Sequence, residues 1–449
     1  MNAVEKHYKK MTETPVHKLI LRLGLPTTVS MLITNVYNLT DTYFVGTLGE
    51  SAQGATGVLF TLQAIIQAFA FMLGHGSGTY VSKALAEKNG EEASRYSSTA
   101  FFTGGTIGIL ILTLGMIFMN PFLRLLGSSE TILPHARDYC LWVLIACPFM
   151  ICSLILNNNL RYEGMAIYSM VGLTIGGVLN IFGDFLLIRI LKMGVFGAGL
   201  ATATSQVVSF LILLILYVKK SSAKITPRAF TFDFAVHLNI VKGGLPSLIR
   251  QGLASLSNGI LNNLAKPFGD AAIAAISVVN RFSSLVLAIG IGIGQGFQPV
   301  AAFNYSAGMY KRVKKGLLFT WGFSTVLVSV ISVFGIIFAP QIIWVFQKNQ
   351  SVIDIGATAL RFASVGLMFL SSSTCANMLF QSIRRAGVAS LLAMLRSGLI
   401  FIPVLILGHH FFALLGIQAA QGIADVLSGL ISIPFAIHFL KTDHKDSNI

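Results

Sequence analysis

Twelve stretches of predominantly apolar residues, each long enough to cross a bilayer as a helix, dominate this chain of 449 residues. A helix needs about twenty such residues to span the hydrocarbon core. The runs cover 16–45, 51–81, 97–119, 137–160, 166–188, 196–218, 239–265, 270–299, 315–338, 353–383, 387–408 and 412–439. In lipid every backbone N–H and C=O must find a partner within the protein, so long runs of this kind are confined to helices. The fold class that follows is an all-α polytopic membrane protein with twelve transmembrane helices. Several runs exceed twenty residues, which implies tilt, kinks or extension beyond the lipid. Only 11% of the residues are charged, too few to clothe a soluble surface, which excludes a secreted enzyme or a disulfide scaffold. The polar stretch from Met1 to Pro15 is read as carrying no cleavable signal peptide.

Orientation follows from Lys and Arg, which gather on the cytoplasmic side of membrane proteins. With the N-terminus and every second loop on one side, that side holds 22 of them and the other holds 6. The larger set runs from Lys6, Lys9 and Lys10 through Lys219 and Lys220 to Lys441 and Lys445. The smaller is Arg124, Arg137, Arg189, Lys192, Lys266 and Lys348. Both termini are therefore expected in the cytoplasm, with the protein multi-pass in the inner or plasma membrane of the cell. Most of the +15 net charge becomes topology and contact with anionic lipid. It is not a nucleic-acid surface, which would cluster its bases on one solvated face. Cys140, Cys147, Cys152 and Cys375 fall in apolar runs without C-x-x-C spacing and read as small buried hydrophobes.

The runs also repeat. Gly24-Leu25-Pro26 opens the first span, and Gly244-Leu245-Pro246 opens the seventh, 220 residues later. The same offset aligns Gly49-Glu50-Ser51-Ala52 with Gly269-Asp270-Ala271-Ala272, and Gly74-His75-Gly76 with Gly294-Gln295-Gly296. Arg161-Tyr162-Glu163-Gly164 matches Arg384-Arg385-Ala386-Gly387 less closely, at an offset of 223. The longest charged linker lies between the halves. The chain thus divides into two pseudo-symmetric six-helix lobes: an N-lobe at 1–220, a cytoplasmic linker at 221–236 and a C-lobe at 237–449. Repeats of this kind are typical of transporters, whose substrate sites lie near mid-depth.

At these residues the chain resembles the multidrug and toxic compound extrusion (MATE) family, from about Pro15 to Lys441. The resemblance is carried by Gly24-Leu25-Pro26 through Thr40-Asp41-Thr42-Tyr43-Phe44-Val45-Gly46, then Gly76-Ser77-Gly78-Thr79-Tyr80-Val81-Ser82 and Arg161-Tyr162-Glu163-Gly164. It continues through Asn180-Ile181-Phe182-Gly183-Asp184 and Gly197-Ala198-Gly199-Leu200-Ala201-Thr202 to Gln298-Pro299, Asn304-Tyr305 and Arg385-Ala386-Gly387. Within the family it points to the prokaryotic, DNA-damage-inducible F (DinF)-like branch that uses acids of the N-lobe. The resemblance implies two six-helix bundles forming a V, with alternating access. It implies export of organic, often lipophilic and cationic compounds by antiport against H⁺ or Na⁺. It implies no cofactor beyond that coupling ion and no enzyme activity. The expected partners are a small-molecule substrate and membrane lipids, with no nucleic acid, and the expected state is a monomer.

Of 17 acids, three lie well inside spans: Asp41, Asp184 and Asp425. An ionisable group at that depth costs about 2.5–3.5 kcal/mol on insertion scales and is a functional candidate by default. Asn180 and Asp184 are four apart and share a helix face, as do Tyr37 and Asp41. Thr202 and Thr204 add hydroxyls in the sixth span, and Thr34 adds one in the first. Carboxylates, an amide carbonyl and a hydroxyl make a hard oxygen set, suited to Na⁺ or to a proton relay. In the family the resemblance points to, Asp41, Asn180, Asp184 and Thr202 match the N-lobe cation site, and Tyr37 lines the same pocket. For Thr34 and Thr204, hydroxyl bonding to the preceding turn is the simpler expectation. Pro26 removes a helical hydrogen bond and marks a hinge.

The C-lobe reads differently. Arg281, Arg361 and Arg396 sit at mid-span depth, and Asp425 pairs most simply with Arg396 in the neighbouring span. The family's alternative Na⁺ site uses acids on the seventh and tenth spans; here the seventh has none and the tenth only Asp354, at its start. The arginines suit an anionic headgroup or serve as internal bonds, and residue types do not choose. Asn157 is a further polar candidate, and of Asn157, Asn158 and Asn159 at least one is expected to face a lobe interior. His75, His409 and His410, near span ends, are expected at the interface. Enzyme motifs fail on residues: there is no H-E-x-x-H and no G-x-x-x-x-G-K-[ST], and Ile181 replaces the first Gly of a G-x-G-D protease. The competing functions are a flippase for lipid-linked oligosaccharide or anionic lipid, and a passive channel or receptor.

Overall fold

The computed structural model describes residues 3–442, and all regular structure among them is helical. Lys445 lies outside the described residues, as does the Lys6 side chain. Nine of the described helices are each long and apolar enough to cross a membrane. A tenth span is broken, Gln350–Leu367 and Leu370–Ser382 meeting at 45°. The break precedes Ser371, Ser372 and Ser373, of which Ser373 bonds back to the Leu370 carbonyl at 3.0 Å. Phe234–Ala265 is 32 residues long and less apolar than those nine; it contains the run read at 239–265 and the Gly244-Leu245-Pro246 of the repeat. The last stretch, Ala386–Lys441, holds two spans because Ala413 adopts φ 50° and ψ −123° and the chain doubles back. A Cβ on Gly416 would lie against the Gly408 carbonyl, so only glycine lets the two arms close this tightly. The total is twelve transmembrane helices in two six-helix lobes.

Apolar side chains face outward where lipid would lie. In Tyr310–Ile337 the exposed Val326, Val330, Val333 and Ile337 follow the spacing of one helix face. Inward, Leu133–Tyr162 is the most enclosed span, packed on the second, third, fifth and sixth. The linker is docked along the third span, Gly90–Ile117. The Lys224 amide donates to Ser94 Oγ at 2.9 Å and the Thr226 amide to Ser98 Oγ at 3.0 Å. Arg95 pairs with Asp233 at 2.8 Å.

Residues 1–13 and 29–251 form one compact unit, and residues 14–28 and 252–449 the other. Both divisions fall inside continuous helices, shortly after Pro26 in Val16–Gly46 and after Pro246 in Phe234–Ala265. Around Pro26, Thr27 and Thr28 turn their hydroxyls onto the Leu23 and Gly24 carbonyls at 2.8 and 2.9 Å. Such back-bonding competes with the helix ladder and favours bending.

Candidate functional site

The fifth span changes character at one of the singled-out acids. Ala166–Asp184 is α-helical, and the next six residues, Phe185–Ile190, wind as a π-helix. A π segment is costly to keep and tends to mark functional positions. Asn180 and Asp184 stack one turn apart on the α-helical part and are both buried.

Three further spans bring their groups to the same place. The Tyr139 hydroxyl donates to Asp41 Oδ2 at 2.9 Å and lies 3.2 Å from Thr202 Oγ1. Asn180 Nδ2 donates to that same Thr202 oxygen at 3.2 Å. The chain Asp41–Tyr139–Thr202–Asn180 therefore ties the first, fourth, fifth and sixth spans. Asp184 completes the cluster: the Asp41 carboxylate is the charge that acts on it. Tyr37 lies over Gly177, one turn before Asn180, where a Cβ would stand 3.2 Å from its ring, and its hydroxyl bonds Gln206.

What is left over in this cluster gives it its chemistry. Asp41 Oδ1, Asn180 Oδ1 and both oxygens of Asp184 are buried and have no hydrogen-bond donor. Four acceptor oxygens without a donor are expensive in a low-dielectric interior. A proton on a carboxylate, or a hard alkali cation among the oxygens, relieves that cost, and the donor set fits either. Arg189, the nearest basic residue in sequence to Asp184, has no ion pair among the described residues.

Other singled-out residues are dispersed. Asp425 is 1% exposed and bonded to Arg396 Nε at 2.7 Å, with Gln421 Nε2 donating to the same oxygen at 2.8 Å. Arg396 lies in a second π segment, Leu395–Leu399, whose Ser397 carbonyl accepts from Ser257. Arg281 is half-buried and Arg361 exposed, and neither joins Asp425. Only one of the three arginines is thus committed to an acid. Asn157 belongs to the N-lobe and is spent on Ser169, donating to its carbonyl at 3.0 Å and its hydroxyl at 2.6 Å. Thr34 bonds the Ser30 carbonyl at 2.9 Å, and Thr204 is exposed.

One expectation needs correction. His75 is not interfacial: it is fully buried, with Nδ1 2.6 Å from Ser247 Oγ and its ring stacked on Phe71. Of the Asn157–Asn159 run, at least one is expected to turn inward, and the whole run does. All three are buried, Asn158 accepting from Arg161 at 2.6 Å and Asn159 from Ser77 at 2.9 Å. The C-terminal half of the fourth span is enclosed by helices, so no face of the Asn157–Asn159 run is left for lipid. Tyr139 and Gln206 are the site residues that sequence reasoning missed; a Tyr beside Arg137-Asp138 at a span end looks like an interfacial anchor.

Outside the spans, Glu163 is also fully buried. Burial pushes its carboxyl up to about 7, although Ser221 Oγ and the Ser222 amide donate to it at 2.6 and 2.8 Å.

The MatE family model matches residues 26–186 and again residues 246–407, start points separated by the period of the internal repeat. The chain belongs to the MatE family. MatE proteins are transporters, and this member is a multi-pass membrane protein built for that work. It is 26% identical over 425 residues to the multidrug export protein MepA of Staphylococcus aureus (strain MRSA252), covering 94% of this chain and 93% of the relative. Its fold superposes on a crystal structure of MATE in complex with MaL6 with a TM-score of 0.91, at 23% identity, covering 97% and 98% of the two chains. It matches an outward-facing multidrug resistance MATE transporter of the MOP superfamily with a TM-score of 0.90, at 23% identity, covering 98% and 99%.

Proposed function

We propose that this MatE protein exports organic compounds, often lipophilic and cationic, by antiport against H⁺ or Na⁺. The coupling ion binds at Asp41, Asn180, Asp184 and Thr202, with Tyr37 and Tyr139 shaping the site. One observation carries this reading: four buried acceptor oxygens, three of them on two carboxylates, meet with no base paired to them among the described residues. A permanent structural pair would have a cation in place, whereas a coupling site needs one that comes and goes. MepA, to which the chain is similar over nearly its whole length, is a multidrug export protein.

In the proposed cycle the acids are ionised while substrate is held. Entry of the coupling ion neutralises them and kinks the first span, with Pro26 as the hinge. Substrate then leaves outward, and the lobes return with the ion delivered inward. Both termini face the cytoplasm of a cell-membrane protein that acts as a monomer, without a cofactor. Within the family we place it with DinF-like members. A flippase for lipid-linked oligosaccharide or anionic lipid is weakened because Arg396, one of three arginines that suggested it, is spent on Asp425.

The decisive experiment is uptake of a fluorescent organic cation into proteoliposomes, with H⁺ and Na⁺ gradients imposed in turn. One gradient is expected to accelerate flux, and Asp41→Asn or Asp184→Asn to abolish that response with folding intact. Flux indifferent to both gradients, or normal coupling in both variants, overturns the proposal.

A further inference from the structure

A second feature lies on the opposite flank of the fourth span. Where the third span ends and the fourth begins, a cavity of about 530 Å³ opens to the outside of the helix bundle. Its apolar wall is built by Met116, Ile117, Met119 and Leu141. Pro121 and Pro134 stand at the starts of the helices that frame it, where a fixed φ makes the opening rigid. Two charges line it, Arg137 and Asp138. Both are exposed, and neither has a hydrogen-bond or ion-pair partner among the described residues. As neighbours on one helix they project about 100° apart. The cavity is thus offered one cation and one anion that do not satisfy each other.

The surface beyond the opening extends the pattern. Leu110, Leu114 and Ile117, at 55%, 47% and 65% exposure, run as a stripe along the third span. Spacings of four and three place them on one helix face. In a membrane-embedded chain such a stripe meets acyl tails. A polar, doubly charged cup at the head of a lipid-facing stripe has the layout of a phospholipid.

We propose that this cavity binds a zwitterionic phospholipid whose headgroup carries a primary ammonium beside its phosphodiester. Arg137 donates to the phosphate oxygens, a charge-assisted contact suited to a guanidinium. Asp138 accepts from the ammonium. The acyl chains lie along Leu110, Leu114 and Ile117. Charge complementarity selects this occupant over its competitors. An anionic lipid satisfies Arg137 but is repelled by Asp138, a cationic amphiphile reverses the problem, and a choline headgroup has no N–H to donate to Asp138. The site is separate from the coupling cluster, although Asp138 immediately precedes Tyr139 in the chain.

The test is lipid retention by the full-length protein, measured by native mass spectrometry after reconstitution in nanodiscs. The discs would hold phosphatidylethanolamine, phosphatidylcholine and phosphatidylglycerol in equal amounts. The wild type is expected to keep phosphatidylethanolamine over phosphatidylcholine by about fivefold, the worth of one exposed charge-assisted hydrogen bond. Asp138→Asn should erase that preference, and Arg137→Gln should lower retention of all three lipids. Equal retention of the three by the wild type, a preference for phosphatidylglycerol, or an unchanged preference in both variants overturns the assignment. Both side chains are exposed, so the variants should fold. If either does not, the headgroup comparison in the wild type decides alone.

Discussion

Asp184 in the N-lobe and Asp425 in the C-lobe are equally hidden, at 0% and 1% exposure, and sit in opposite electrostatic situations. Asp425 has a guanidinium at 2.7 Å and an amide donor at 2.8 Å on the same oxygen. Asp184 has no donor on either oxygen, and its charged neighbour is another carboxylate, Asp41. Burial alone therefore does not separate a structural acid from a working one. What separates them is whether the compensating cation is part of the chain or must arrive from solution.

The largest effect should come from removing the built-in cation. Arg396→Met leaves Asp425 buried and uncompensated, at a cost of about 3 kcal/mol, read as a drop in thermal stability in detergent. Adding Asp425→Leu should recover most of that loss; if it does not, the pair is not what Asp425 depends on. The same logic has the opposite sign in the N-lobe. Asp184→Asn removes an acid that no described residue neutralises, so stability at neutral pH should stay level or rise by about 1–2 kcal/mol while coupling is lost. A marked fall in melting temperature would make Asp184 structural and collapse the comparison.

Tyr139→Phe sharpens it further. It withdraws the donor to Asp41 but leaves the carboxylates in place, so apparent affinity for the coupling ion should change by about fivefold, in proportion to one hydrogen bond. An unaltered ion dependence would remove Tyr139 from the site. The smallest effect belongs to Glu163, an intermediate case that is buried without a paired base but holds donors on both oxygens. Its carboxyl is raised from 4.5 to about 7, so the folded protein binds the proton more tightly than the unfolded chain does. The associated stability is complete below about 4.5 and is lost as pH rises through about 7. Melting temperature should therefore decline across that window in the wild type and decline less in Glu163→Gln. Parallel curves would show that Glu163 does not titrate there.

Much of the architecture is legible in residue order because membrane helices are written in hydropathy. Even Phe234–Ala265, less apolar than most, stands out as the run at 239–265, and its Gly244-Leu245-Pro246 match to the first span supports it. The coupling candidates were legible for a related reason: acids are so costly at depth that few are tolerated, and Asn180 and Asp184 carry the spacing of a shared face. Tyr139 and His75 were not legible. Each looks like an interfacial residue until the number of helices around its span is known.

By itself, then, the sequence determined the helical class, the twelve spans, the repeat and the short list of intramembrane acids. All of these follow from local rules of transfer energy and periodicity. Only the tertiary structure decided which acid meets a base. Arg396 reaches Asp425 across 29 positions, while Tyr139 and Thr202 approach Asp41 from 98 and 161 positions away. Helix packing sets those meetings, and composition and spacing say nothing about which face of one span will turn toward another.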